Sequence, residues 1–279
     1  MAFFPRTSIG GVSVSRLVVG TNWFLGYSHT SAAKDDFIKT YQTRNKIADV
    51  LEVFLQAGVD TVMGPIHTLL NEGIQEAQQR TGKEIIRMLT PWFKVRTEDT
   101  AGDEPEAVIA ECQKIGATFC MPHQQVTDVL LDRTTRRIRG IEVITQMIRE
   151  HGMIPGLSTH LPETIIFCDE NNYDVETYIQ IYNAAGFLMP IEVDWQLQII
   201  LNSKKPVTTI KPLAAGRLMP LVGLCFVWNT LRDQDLVTIG TTTPEEAKEV
   251  IELSLDFLER RHPDHHLQTT RSKAVFKRQ

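Results

Sequence analysis

The sequence predicts an α/β fold in which eight parallel strands, each followed by a helix, close into a (β/α)8 barrel. Short β-branched apolar runs alternate with helix-period segments along all of the chain before residue 262, the pattern of βα units on a parallel sheet. Eight units recur at roughly 25–35-residue spacing, and eight units in about 250 residues suit a closed barrel. No GxGxxG motif follows the first strand, so an open doubly wound sheet is the weaker rival.

The elements follow in order. Leu17–Gly20 is the first strand, and Thr43 to Ala57 the first helix, with Ile47, Val50, Leu51, Phe54 and Leu55 on one face. Gly58 stops it. Thr61–Met63 leads to a helix near Asn71–Arg80, and Ile85–Leu89 to a helix over Pro105–Lys114. Thr118–Met121 precedes a long helix from Arg137 to Glu150, which Gly152 ends. Met153–Leu157 precedes Pro162–Asp169, and Thr177–Ile181 precedes Pro190–Leu201. Val207–Ile210 precedes Leu218–Leu231. Leu236–Ile239 is the eighth strand. Thr243 then caps a helix to Arg260, with Pro244 at its first position and Glu246 completing a capping box.

No Pro/Gly/Ser-rich linker divides the chain, so residues 1–261 are expected to form one barrel domain and 262–279 a C-terminal tail. The 279 residues are 42% hydrophobic and 23% charged, which excludes disorder as the main state. A net charge of −5 without a basic stripe argues against nucleic acid as a partner. No apolar run is long enough to span a bilayer. The four cysteines show no CxxC pairing and the first residues no long apolar run, so a reducing cytoplasm is the expected compartment. The expected partner is a small-molecule substrate, with self-association left open.

Four segments carry a resemblance that runs in order through nearly the whole chain. They are Thr7 to Thr21, Ala57-Gly58-Val59-Asp60, Lys211-Pro212-Leu213-Ala214-Ala215-Gly216-Arg217-Leu218, and Thr238 to Glu246. Together they resemble the aldo/keto reductase family, in a divergent branch that lacks most of the catalytic tetrad. The resemblance implies an N-terminal β-hairpin, turning at Gly10-Gly11, that plugs the barrel floor. It also implies nicotinamide dinucleotide binding by the loops after strands seven and eight. The family's aspartate falls at Met63, before Gly64-Pro65, and no tyrosine occurs between Asp60 and Arg80. The family's lysine position reads Leu89-Thr90-Pro91, and only its histidine has a counterpart, His123. Hydride reduction needs a proton donor for the carbonyl oxygen, so ordinary carbonyl reduction is not expected on this count.

Barrel chemistry sits at the C-terminal strand ends, which here read Asn22, His67, Trp92, His123, His160, Asn183, Lys211 and Thr241. Clustered histidines suggest a metal set of His123, His160 and His67, joined by Asp128 or Glu163, on zinc or a similar divalent ion. The alternative for each is a hydrogen bond to loop backbone. His29 lies in the loop after strand one, and His151 at a helix end. Lys211, which Pro212 should hold extended, would be desolvated and able to act as a base or bind an anion; a salt bridge is the plainer alternative. Gly216 and Arg217 with Gly240, Thr241 and Thr242 are the expected cofactor or phosphate loops, against ordinary turn and cap chemistry. Only Lys248 is basic within Pro244–Val250, so NAD(P) is left without a match for a 2′-phosphate. Glu192 and Asp194 suit a helix start, and Arg133, Arg136, Arg137 and Arg139 a solvated face.

The main expectation is therefore a soluble enzyme doing non-redox carbonyl chemistry, as an isomerase, lyase or hydrolase, on a small polar or phosphorylated molecule. His123, His160 and Lys211 are its catalytic candidates, with a metal assisting. The alternatives are an NAD(P)-dependent oxidoreductase with an altered proton donor, and a barrel that binds without catalysing.

Overall fold

A hairpin opens the chain: β1 (Arg6–Ile9) and β2 (Val12–Ser15) pair antiparallel across Gly10-Gly11. Both glycines have positive φ, 55° and 82°, as a two-residue primed turn requires. The computed structural model describes residues 3–95, 103–263 and 270–276.

The next strands, β3 (Leu17–Gly20), β4 (Thr61–Gly64), β5 (Ile86–Leu89) and β6 (Phe119–Cys120), pair side by side in parallel. A small antiparallel pair, β7 (Leu131–Asp132) and β8 (Arg137–Ile138), stands apart. The fifth barrel strand is broken at Gly156 into β9 (Ile154–Pro155) and β10 (Leu157–Ser158). Then come β11 (Tyr178–Ile181), β12 (Val207–Ile210) and β13 (Leu236–Ile239). The sheet order is β10-β11-β12-β13-β3-β4-β5-β6-β9. Because β9 and β10 are halves of one strand, the sheet closes as a (β/α)8 barrel.

Eleven helices occur among the described residues: α1 (Asn22–Leu25), α2 (Ala32–Tyr41), α3 (Arg44–Gln56), α4 (Thr68–Thr81), α5 (Asp103–Ile115), α6 (Gln124–Leu130), α7 (Ile141–Glu150), α8 (Glu163–Asn171), α9 (Val193–Asn202), α10 (Pro220–Thr230) and α11 (Pro244–Leu258). All eight sequence-predicted helices are present, and the Thr243–Glu246 capping box is formed. Helix α7 begins at Ile141 rather than Arg137, because Arg137 and Ile138 pair with β7 and Gly140 turns the chain with φ 64°. Helix α2 escaped the periodicity analysis because Ile38 is its one buried residue; it has no apolar stripe to detect.

Two layers of core follow from strand alternation. Ile9 and Val14 of the hairpin join Val18, Met63, Met88, Phe119, Met121, Ile179 and Leu236 inside the barrel, so the hairpin plugs its floor. Val19, Leu89, Cys120, Tyr178 and Val237 face the other way and pack under the helices. The four arginines expected on a solvated face are exposed, and two of them reach α8: Arg133 pairs with Glu163 at 2.9 Å and Arg136 with Glu170 at 2.6 Å. No helix among the described residues is long and apolar enough to cross a membrane. The expected tail falls partly outside the described residues; within it, Arg271–Phe276 form a 3-10 turn.

Candidate active site

A cavity of ≈ 1140 Å³ opens at the C-terminal ends of the barrel strands. Alternation decides what enters it. Met121 fills the barrel interior, and His123, two residues on, lines the cavity. Ser158 lines it too, and His160, two residues on, does the same. Lys211 joins them from the end of β12, and His29 from the loop after α1.

His123 is fixed at both ends. Its backbone N–H donates to Pro91 O at 2.8 Å. Its ring Nδ1 accepts the Gln125 N–H at 3.3 Å, so the neutral ring carries its proton on Nε2. Burial, and then Lys211, hold its pKa below the ordinary imidazole value. His160 is lowered further, to about 4, by burial first and then by Lys211, His123 and His29. It is neutral at pH 7. Its N–H donates to the Asp128 carboxylate at 3.2 Å, and the Thr159 hydroxyl donates to the same carboxylate at 2.5 Å. Burial raises the Asp128 pKa. Asp128 is thus occupied with backbone and hydroxyl donors, and Glu163 with Arg133.

Lys211 is not held extended by Pro212. Its φ is 61°, and Ala214 and Ala215 follow at 50° and 55°. The chain reverses sharply here, with the Ala214 N–H donating to Lys211 O at 2.9 Å. Left-handed conformations cost energy for residues with a Cβ and gather at functional sites. Burial lowers the Lys211 pKa to about 8, and no carboxylate acts against that. The plainer alternative, a salt bridge, is not formed among the described residues.

Gly216, Arg217, Gly240 and Thr241 all line the cavity. The Arg217 guanidinium sits 4.0 Å from the centre of the Phe187 ring and donates to Ala214 O at 3.1 Å. Thr242 does not line the cavity. Its N–H donates to the Glu246 carboxylate at 2.6 Å, and that of Thr243 at 3.3 Å. The chain's own carboxylate therefore fills the anion cradle that the sequence suggested at this helix start. The Thr238 and Thr241 hydroxyls are buried without a protein partner.

The metal set is not assembled. His67 is the exposed N-cap of α4 and lies off the cavity lining. Among the described residues, no three His, Cys, Asp or Glu side chains group to hold an ion. Asn183 spends its side chain on the backbone of Ala185 and Phe187. His151 bonds Gln113 and Glu106 on α5.

The positions that the resemblance assigns to the tetrad hold side chains spent on packing. Met63 belongs to the barrel core, and a Cβ on Gly64 would lie 1.9 Å from the Thr21 hydroxyl. Leu89 packs outward under the helices. Tyr27, at the rim, is the tyrosine on the cavity lining among the described residues. Sequence reasoning passed over Tyr27 and Trp23; the signal available was their position in the loop after strand one, beside His29.

The fold and site define a (β/α)8 barrel whose rim cavity is lined by three histidines, Lys211, Arg217 and three glutamates. No family profile and no curated relative match the sequence. Solved structures do share the fold. A protein from Pseudomonas aeruginosa assigned as an aldo-keto reductase matches with TM-score 0.64 at 13% identity, over 91% of this chain and 96% of that one. An aldo/keto reductase from Brucella melitensis matches with TM-score 0.57 at 14% identity, over 96% and 95%. An aldo-keto reductase from Klebsiella pneumoniae, solved in complex with NADPH, matches with TM-score 0.61 at 14% identity, over 94% and 97%. The chain has the aldo-keto reductase form of the barrel, floor hairpin included. This finding overturns the non-redox expectation: these neighbours are reductases, and one holds a nicotinamide dinucleotide, which favours the oxidoreductase alternative.

Proposed function

We propose that the protein is an NAD(P)-dependent carbonyl oxidoreductase whose proton donor is not the family tyrosine. The observation that carries this is the continuity of one cavity. It runs from His123, His160 and Lys211 to the loops of Gly216-Arg217 and Gly240-Thr241, so a carbonyl compound and an extended cofactor share one space. The residues fit such a cofactor: Arg217 offers a cation to a pyrophosphate, and the unpartnered hydroxyls of Thr238 and Thr241 offer donors. When bound, a reduced nicotinamide supplies a hydride to the carbonyl carbon. The chain's residues supply the rest. The Nε2–H of His123 donates a hydrogen bond to the carbonyl oxygen, as a neutral imidazole can. The Lys211 ammonium, with its pKa lowered to about 8, gives that oxygen its proton and regains one from water. Asp128 holds the backbone of His160 in place.

Trp23 and Trp92 on the lining make the test direct. Titration with NADH and NADPH should quench tryptophan fluorescence, and a panel of aldehydes and keto acids should then show nucleotide oxidation. Absence of quenching by either nucleotide at millimolar concentration would remove the proposal.

A further inference from the structure

The barrel mouth gathers basic groups, and among the described residues no carboxylate acts on Lys211. His29, His123, His160 and Lys211 arrive from four separate loops onto one cavity. They are close enough to act on one another: Lys211 acts on both His123 and His160, and His123 and His29 act on His160. Arg217 lines the same space. The carboxylates nearby are committed or placed on other elements. Asp128 holds Thr159 and the His160 backbone. Glu246 holds the Thr242 and Thr243 N–H groups. Glu111 of α5 and Glu249 of α11 also line the cavity, but neither is among the groups that act on Lys211, His123 or His160.

Desolvating an ammonium is costly unless a counter-charge repays it. The fold also holds Lys211 in a left-handed conformation, φ 61°, of the kind that gathers at functional sites. A half-buried cation with no ion-pair partner among the described residues leaves the counter-charge to the ligand. We infer that the substrate is a 2-oxo acid, or in the reverse direction a 2-hydroxy acid, whose carboxylate pairs with Lys211 while its carbonyl oxygen accepts from the His123 Nε2–H. This rests on the oxidoreductase proposal above and names its substrate class. Geometry favours adjacent groups. A carboxylate next to the carbonyl lets one ammonium reach a carboxylate oxygen and the reacting oxygen together, whereas a more distant acid would need a second cation. The reaction balances as 2-oxo acid, reduced nicotinamide and a proton giving 2-hydroxy acid and oxidised nicotinamide. The carbonyl carbon gains the hydride, and the oxygen gains the proton from Lys211.

Oxalate, a planar unreactive dianion, is the probe. Calorimetry on the full chain without nucleotide, at pH 8.5 in two buffers of different ionisation enthalpy, reads both affinity and proton exchange. An anion on a lysine that titrates near 8 draws protons from the buffer, roughly half a proton per oxalate. Lys211→Met should weaken oxalate by about 10- to 100-fold. Lys211→Arg should keep binding but lose the proton uptake, because a guanidinium is already charged. Oxalate affinity unchanged in Lys211→Met, no binding to wild type, or tighter binding of inorganic phosphate than of oxalate would each overturn the assignment. The two proposals fail separately. Oxalate binding with proton uptake but no nucleotide quenching keeps the acid site and removes the redox chemistry. Nucleotide-dependent reduction of neutral aldehydes with oxalate silent does the reverse.

Discussion

The Asp128 carboxylate accepts the backbone N–H of His160 at 3.2 Å, and so ties the end of the fifth barrel strand to α6. Thr159, next to His160, donates its hydroxyl to the same carboxylate. Removing the acceptor leaves two donors stranded in a partly buried site. Asp128→Ala should cost about 1–3 kcal/mol of stability, and Asp128→Asn much less, since its amide oxygen can still serve the His160 N–H. Urea unfolding of the three proteins checks this; equal losses in both variants would mean that the charge matters and the acceptor does not.

His160 makes stability depend on pH. Its folded pKa, about 4, lies below the ordinary 6.5, so the unfolded chain binds the extra proton between those values. The stabilisation is present above pH 6.5 and is lost as pH falls through about 4, amounting to about 2–3 kcal/mol. Unfolding curves for wild type and His160→Gln between pH 7.5 and 4.5 should converge at the acid end. Parallel curves would place His160 in solvent.

Lys211 sets the pH dependence of turnover. The protonated form gives the proton, so reduction should slow as pH rises through about 8, and alcohol oxidation should speed up over the same range. Lys211→Met should lower kcat for reduction by about 10²–10⁴-fold. A flat profile across pH 7–9 with wild type would assign the donor elsewhere.

Gly64 leaves no room for a side chain. Its missing Cβ would stand 1.9 Å from the Thr21 hydroxyl, itself bonded to Met63 O at 3.1 Å. Gly64→Ala should destabilise by roughly 1–3 kcal/mol through overpacking, and Thr21→Ala in the same chain should recover part of it. A thermal melt of the single and double variants decides the matter.

Glu246 caps α11 with its carboxylate on Thr242 and Thr243. Glu246→Ala should cost about 0.5–2 kcal/mol and free two N–H donors at the cavity edge. If those donors then attract phosphate, NADPH should gain affinity relative to NADH; a fluorescence titration with each nucleotide reads the ratio.

The order of elements was legible in the sequence because it is written locally. A β-branched run such as Val207–Ile210, a cap such as Thr243 and a stop such as Gly58 each declare themselves within a few residues. The positions of His123, His160 and Lys211 at strand ends were legible for the same reason. Their direction was not, since it depends on the register that joins Cys120 to Pro155 and Ser158 to Ile179. Helix α2 was hidden because its faces are solvated, and the Arg137 strand because its partner β7 lies across a turn.

What the sequence by itself determined is the eight-fold repeat, the hairpin at Gly10-Gly11 and the want of a tyrosine between Asp60 and Arg80, all carried by side chains and their spacing. What only the tertiary structure decided is which groups meet. It excluded His67 from the cavity, gave Thr242 to Glu246 and left Lys211 on the cavity with no ion pair among the described residues. Contacts between loops that are far apart in the chain are set by barrel closure, and a reading of neighbouring residues carries no distance across it.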